Sequence, residues 1–186
     1  LQMEGEETAE DKAIIAALGE PLLHILRNSI DHGIETPEER LAVGKSSQAQ
    51  ILLRAYQESD QIVIEVIDDG RGIEPAKIKA AALSKGVITD DQAARLSDQE
   101  AINLVFQPGF STTSEVSDLS GRGVGMDVVR TNIEKMGGQV AVSSTIGAGA
   151  TVQLSLPLSM AVTRVMMVEV GSSLVGIPMD VIVETV

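Results

Sequence analysis

Apolar residues recur along this chain with two periods, and the switches between them lay out its elements. Ile14, Ile15 and Leu18 follow a helical spacing. Gly19-Glu20-Pro21 interrupts it, and Pro21 suits a kink or the first turn of a new helix. A second helix is therefore expected from about Pro21 to His32, capped by Gly33. Thr36 to Val43 predicts a short amphipathic helix, with Pro37 near its start and Gly44 as its stop. Gln50 to Gln57 and Gln61 to Ile67 are β-rich runs, and the turn Glu58-Ser59-Asp60 joins them as an antiparallel hairpin. Helical spacing returns over Glu74 to Ser84 and over Asp98 to Phe106. Gln107 to Ser120 has no period and reads as a long loop. Gly121 to Gly125 opens a helix that runs to about Met136, and Gln139 to Thr145 and Ala150 to Leu156 form a second hairpin. Pro157 marks a boundary. Beyond it, Thr163 to Val170, Leu174 to Ile177 and Val181 to Val186 read as strands of a separate all-β unit. At the other end, Leu1 to Glu4 reads as a strand tail whose partners lie upstream, and Thr8 as a helix N-cap. Two hairpins sharing one mixed, mostly antiparallel sheet, with helices on one face, make an α+β two-layer sandwich.

One stretch breaks the usual division of polar and apolar faces. Leu22 to Gly33 (LLHILRNSIDHG) carries His24, Asn28, Asp31 and His32 at spacings that share one helix face. Leu22, Leu23, Ile25, Leu26 and Ile30 cover the rest, so the helix is expected to be buried on most sides with one polar stripe open to a ligand. An amide, two imidazoles and a carboxylate are groups that ligate metals and contact phosphates. Asn28 offers a neutral oxygen suited to Mg²⁺, and His24, one turn earlier, is a candidate general base.

Composition narrows what that ligand is. The 186 residues carry 27 acidic against 14 basic side chains, a formal charge of -13, so long-range attraction to nucleic acid or an anionic membrane is excluded. A polyanion must be held by backbone N–H groups and a metal ion. The chain has no cysteine, which rules out disulfide and thiolate chemistry. No apolar run reaches the ~18 residues of a membrane span. The acidic start, which lacks both a signal pattern and an initiating Met, is that expected of a piece of a longer protein.

Three further motifs carry candidate chemistry. Asp68-Asp69-Gly70-Arg71-Gly72 puts a carboxylate at a strand end before glycines that allow close backbone approach, although an Asp-Gly pair is more often a plain turn. Gly121-Arg122-Gly123-Val124-Gly125-Met126 spaces glycines just before a helix, leaving N–H groups for phosphate oxygens. It matches neither the Rossmann fingerprint nor the Walker lysine motif. Phe106 to Thr113 (FQPGFSTT) holds the only two Phe. They read either as plain core anchors or as latches of a lid that turns Ser111 and Thr112 to the ligand.

Taken together and in this order, HILRNSIDHG, DDGRGI, FQPGFST and GRGVG resemble the N, first glycine, F and second glycine boxes of the ATP-binding domain of two-component histidine kinases. These share the GHKL (Bergerat) fold with gyrase B, Hsp90 and MutL. Ordinary sensor kinases have Glu or Asp four residues before the N-box Asn. His24 at that place, and the wording of GFST and GRGVGMDVV, are similar to the CheA-type chemotaxis kinases. The resemblance implies ATP and Mg²⁺ as cofactors, with Asn28 as metal ligand and His24 and Asn28 as catalytic residues. It implies His32, Arg27, Asp31 and Lys77 near the phosphates, and Asp68, Gly70, Gly72 and Ile73 at the adenine. Ser111, Thr112 and Gly121 through Met126 would lie along the triphosphate. It implies a catalytic domain over 1–157 and, over 158–186, the start of a CheW-like SH3-type regulatory domain. By the same resemblance, the γ-phosphoryl group goes to a histidine on a separate phosphotransfer domain not found in this chain. Implied partners are a CheW-type adaptor, chemoreceptors and response regulators, with no nucleic acid. The implied full-length protein is a cytoplasmic homodimer recruited to membrane receptor arrays. A gyrase-like or Hsp90-like clamp ATPase fits less well, because those enzymes use a Glu base where His24 stands. A non-catalytic nucleotide scaffold is the other alternative.

Overall fold

The computed structural model describes residues 1–4, 12–110, 125–158, 165–170 and 173–178. Its centre is a five-stranded mixed sheet in the order β1-β2-β3-β5-β4. The strands are β1 (Gln2–Glu4), β2 (Ile51–Glu58), β3 (Gln61–Asp68), β4 (Gln139–Thr145) and β5 (Gly149–Pro157). Both expected hairpins are present: β2 pairs with β3, and β4 with β5, antiparallel. β3 and β5 zip the hairpins together, with Ile62 opposite Leu156, Ile64 opposite Leu154 and Val66 opposite Val152. These pairs share a face, and Ile62, Ile64, Val66, Leu154 and Leu156 are buried there against α1 (Lys12–Asn28) and α6 (Met126–Lys135). Leu18 and Ile25 of α1 and Val129 and Ile133 of α6 complete the core.

Four expectations are corrected. Leu1 to Glu4 does not wait for an upstream partner, because β1 pairs parallel with β2, Gln2 beside Leu52 and Glu4 beside Arg54. The break at Gly19-Glu20-Pro21 does not occur, and Pro21 lies inside one continuous α1. Its missing N–H would have met the carbonyl of Ala17, an exposed residue that water can serve. The buried row Leu18, Pro21, Ile25 and Ser29 runs straight across it. Nor is this helix buried on most sides, since Leu23 and Ile30 are 66% and 60% exposed. Only one face of a surface helix meets the core, and an exposed leucine costs little. A short helix the periodicity missed, α4 (Asp90–Arg95), follows α3 (Pro75–Ser84), started by a capping box between Thr89 and Gln92.

The remaining helices are where the pattern places them. α2 (Pro37–Ala42) opens with a Thr36/Glu39 capping box, and α5 (Asp98–Asn103) continues into a 3₁₀ turn over Leu104–Phe106. β6 (Val165–Val170) and β7 (Ser173–Pro178) pair antiparallel in a two-stranded sheet of their own. The readings on Thr8 and on Val181 to Val186 lie outside the described residues.

Candidate functional site

Asp68 owes its place to strand parity. Ile62, Ile64 and Val66 face the helices, so Asp68, two residues further along β3, faces them too, opposite Ala150. It is a carboxylate 6% exposed at the core-side end of the sheet. Its partners are neutral donors. Ser29 Oγ donates to Oδ2 (2.9 Å), and the Gly70 and Ala150 N–H groups donate to Oδ1 (3.0 and 3.2 Å). A carboxylate has about four acceptor positions, so one remains on Oδ2. Asp68 lines a cavity of about 340 Å³, within the usual size of small-ligand pockets.

The opposite wall comes from α1. His24 and Asn28, one turn apart, and His32, one turn further, all line the same cavity. The last of these turns is a π turn, Ser29–Gly33, in which the Ile34 N–H reaches back to the Ser29 carbonyl at 2.8 Å. It carries the Gly33 carbonyl to the Arg71 N–H at 2.8 Å, so the helix end is bonded to the loop after β3. Gly70 must be glycine here, because a Cβ would run into the Gly33 carbonyl oxygen. Gly72 has φ +73 and lies against the Thr145 carbonyl, which bars a side chain twice over.

His24 is half-buried. Burial, then the Arg27 charge, lower its pKa from 6.5, against a smaller upward pull from Asp127. Its imidazole is therefore neutral near pH 7, with one N–H and one lone pair to offer. Asn28 Nδ2 is a buried polar atom without a hydrogen-bond partner among the described residues. An unspent amide in a cavity wall is suited to a polar ligand.

Of the expected residues that the structure describes, most meet at one cavity. His24, Asn28, His32, Asp68, Gly72, Ile73, Lys77 and Met126 all line it. Lys77 is on the rim, 80% exposed and paired with Glu74 at 2.7 Å. Arg27 on α1 and Asp31 in the π turn are exposed and are not lining residues, and Gly70 packs behind Asp68. Gly125 is the residue before α6, its carbonyl accepting the first helical bonds. Ser111, Thr112, Gly121, Arg122, Gly123 and Val124 lie outside the described residues. Both Phe are core anchors. Phe106 packs with Ile102 and Val142, and Phe110 with Ala82 and Leu104. Phe110 also lines the cavity, with its carbonyl held by Lys85 Nζ at 3.1 Å. The residue the sequence reading missed is Ser29. Its signal was a lone hydroxyl in the otherwise apolar row Leu18, Pro21, Ile25.

A helix layer on a mixed sheet, with an amide-and-imidazole helix wall facing a buried strand-end carboxylate, defines a nucleotide-binding domain of one ATPase class. Residues 17–160 match the model of the Histidine kinase-, DNA gyrase B-, and HSP90-like ATPase family, and the chain belongs to that family. Within it the likeness is to the CheA type. The chain is 48% identical over all its residues to the sensor histidine kinase CheAY of Helicobacter pylori. It is 49% identical over 185 residues to the chemotaxis protein CheA of Borreliella burgdorferi. It covers 23% and 21% of those proteins, so it spans less than a quarter of their length. Among solved structures, the catalytic domain of histidine kinase ThkA shares the fold. The TM-score is 0.51 at 15% identity, over 85% of this chain and 77% of that one. As an ATPase domain of this family the chain binds ATP. Among the described residues no helix is long and apolar enough to cross a membrane.

Proposed function

We propose that the chain is the catalytic domain of a CheA-type protein histidine kinase. In this reading it binds Mg-ATP in the cavity between α1 and β3 and donates the γ-phosphoryl group to a histidine on a separate phosphotransfer domain. The observation that carries this is the convergence of His24, Asn28, His32 and Asp68 on one cavity. The open acceptor position on Asp68 suits the exocyclic amine of adenine and repels an oxo group at that place. His24, Asn28 and His32 then run along the triphosphate. Phosphoryl transfer asks the protein chiefly for positioning and charge neutralisation. His24, neutral and half-buried, keeps a lone pair for a proton or a hydrogen bond at the reacting end.

A magnesium ion fits the residues present. Asn28 stands on the cavity wall, and its side-chain oxygen is the hard neutral ligand Mg²⁺ takes, while its unpartnered Nδ2 N–H suits a phosphate oxygen. This matches an ion held mainly by phosphates and water. Asn28 would be its protein ligand, and when bound it would neutralise phosphate charge.

Residues 1–157 make the catalytic domain in this reading, and 158–186 begin an SH3-type regulatory domain, in keeping with the separate β6–β7 sheet. The whole protein is then a cytoplasmic dimer held at membrane receptor arrays. It works with a CheW-type adaptor and chemoreceptors and passes its phosphoryl group to response regulators. The test is to mix this chain with the phosphotransfer domain of a CheA-type kinase and γ-labelled ATP. Acid-labile, base-stable phosphohistidine is expected, and no label above a no-enzyme control would refute the kinase reading.

A further inference from the structure

The largest fully buried side chain among the described residues is a cation. Arg40, 1% exposed, donates through Nε to the Ser46 carbonyl (2.7 Å) and through Nη2 to Asp69 Oδ2 (2.7 Å). Its Nη1 donates to Glu35 Oε2 (3.1 Å) and to the Asp69 carbonyl (3.2 Å). Beside it, Lys45 Nζ donates to Glu35 Oε1 (2.8 Å), to the same Asp69 carbonyl (2.8 Å) and to the Gly70 carbonyl (2.7 Å). Burial raises the Glu35 carboxyl pKa, but the hydrogen bond and charge of Lys45 and the charge of Arg40 outweigh it and hold the group below its ordinary value. A buried ionic cluster rarely stabilises a fold more than apolar packing of the same volume would. Its position gives it another task.

That task is visible in one peptide unit. The Asp69 carbonyl and the Gly70 N–H belong to the same planar amide. Two cations hold its oxygen, and its N–H points to Asp68 Oδ1 at 3.0 Å. Cations on the oxygen polarise the amide and strengthen its N–H as a donor. They also oppose a peptide flip that would turn a carbonyl oxygen on the Asp68 carboxylate. We propose that Glu35, Arg40 and Lys45 are positioning residues for base recognition, a clasp that sets the 69–70 peptide and, through it, the orientation in which Asp68 selects a purine bearing an exocyclic amine. None of the three lines the cavity. The inference rests on the reading that Asp68 meets the adenine amine.

The experiment compares two nucleotides on the 186-residue chain, ATP and inosine triphosphate, which differ at the group Asp68 faces. Binding of each is titrated to wild type, Lys45→Met and Lys45→Arg, with circular dichroism as a check of folding. Lys45→Met is expected to weaken ATP about tenfold, the worth of one charge-assisted hydrogen bond, and to leave inosine triphosphate unchanged. Lys45→Arg is expected to restore part of the preference. Equal weakening of both nucleotides, or no weakening of ATP, overturns the clasp. A wild-type chain that binds both nucleotides equally overturns the adenine reading as well. Should Lys45→Met fail to fold, Glu35→Gln, which removes the charge and keeps the shape, is judged by the same ratio.

Discussion

Asp68→Asn exchanges one oxygen for an NH₂ group at the most constrained position in the cavity. Oδ1 accepts two backbone N–H bonds, from Gly70 and Ala150, so the Asn oxygen is expected there. The new NH₂ then takes the place of Oδ2. Ser29 loses an acceptor at 2.9 Å, but its hydroxyl can rotate and accept instead. The fold therefore keeps its hydrogen bonds. The ligand does not, because the open acceptor becomes a donor facing an amine. A hydrogen bond to a charged group contributes about 1.5–3 kcal/mol, so ATP affinity should fall roughly 10- to 100-fold. Inosine triphosphate, whose oxygen now meets a donor, should bind better than it does to wild type. Calorimetric titration of both nucleotides, with a thermal melt of each protein, measures this. Unchanged ATP affinity in a variant that melts like wild type would remove Asp68 from base recognition.

Four other outcomes are expected. Asn28→Asp should abolish Mg²⁺-dependent transfer while leaving the circular dichroism spectrum unchanged, and wild-type phosphohistidine formation would refute the metal role. His24→Gln should slow transfer more than it weakens ATP, and equal losses would reduce His24 to a binding group. By NMR, His24 should titrate below 6.5, so stability falls as pH drops from there through its folded pKa. Arg27→Gln should raise that pKa and Asp127→Asn lower it, and shifts of the opposite sign would refute the electrostatic account. Ser29→Ala should cost about 1–3 kcal/mol in a denaturant melt, because it strips a buried carboxylate of a donor. A cost near zero would mean that water replaces the hydroxyl.

What the sequence revealed and what it hid divide along physical lines. The hairpins were legible because the β-branched run Ile62 to Ile67 and a short polar turn leave few other pairings. The polar wall was legible because His24, Asn28 and His32 recur at helical spacing. The continuity of α1 through Pro21 was not, since local propensity argues for a break and only the packed row Leu18, Ile25, Ser29 overrides it. Ser29 looked like one more hydroxyl beside a louder neighbour. Arg40 was hidden because a cation in a short surface helix ordinarily faces water. Its burial depends on Glu35, Ser46 and Asp69, which only the folded loops bring around it.

The parity that aims Asp68 into the cavity makes β3 a ruler graduated in steps of two. Adding or losing one residue between Ile62 and Glu65 would turn the carboxylate to the other side of the sheet and swing Glu65, now tied to Arg54 and Tyr56 there, into the core. A change of two residues would keep both in place and only move the cavity floor along the strand. Length variation in relatives should therefore gather in the Ser59-Asp60 turn, or come in pairs within the strand. A designer regrafting this pocket onto another sheet must count residues by twos before choosing which ones to keep.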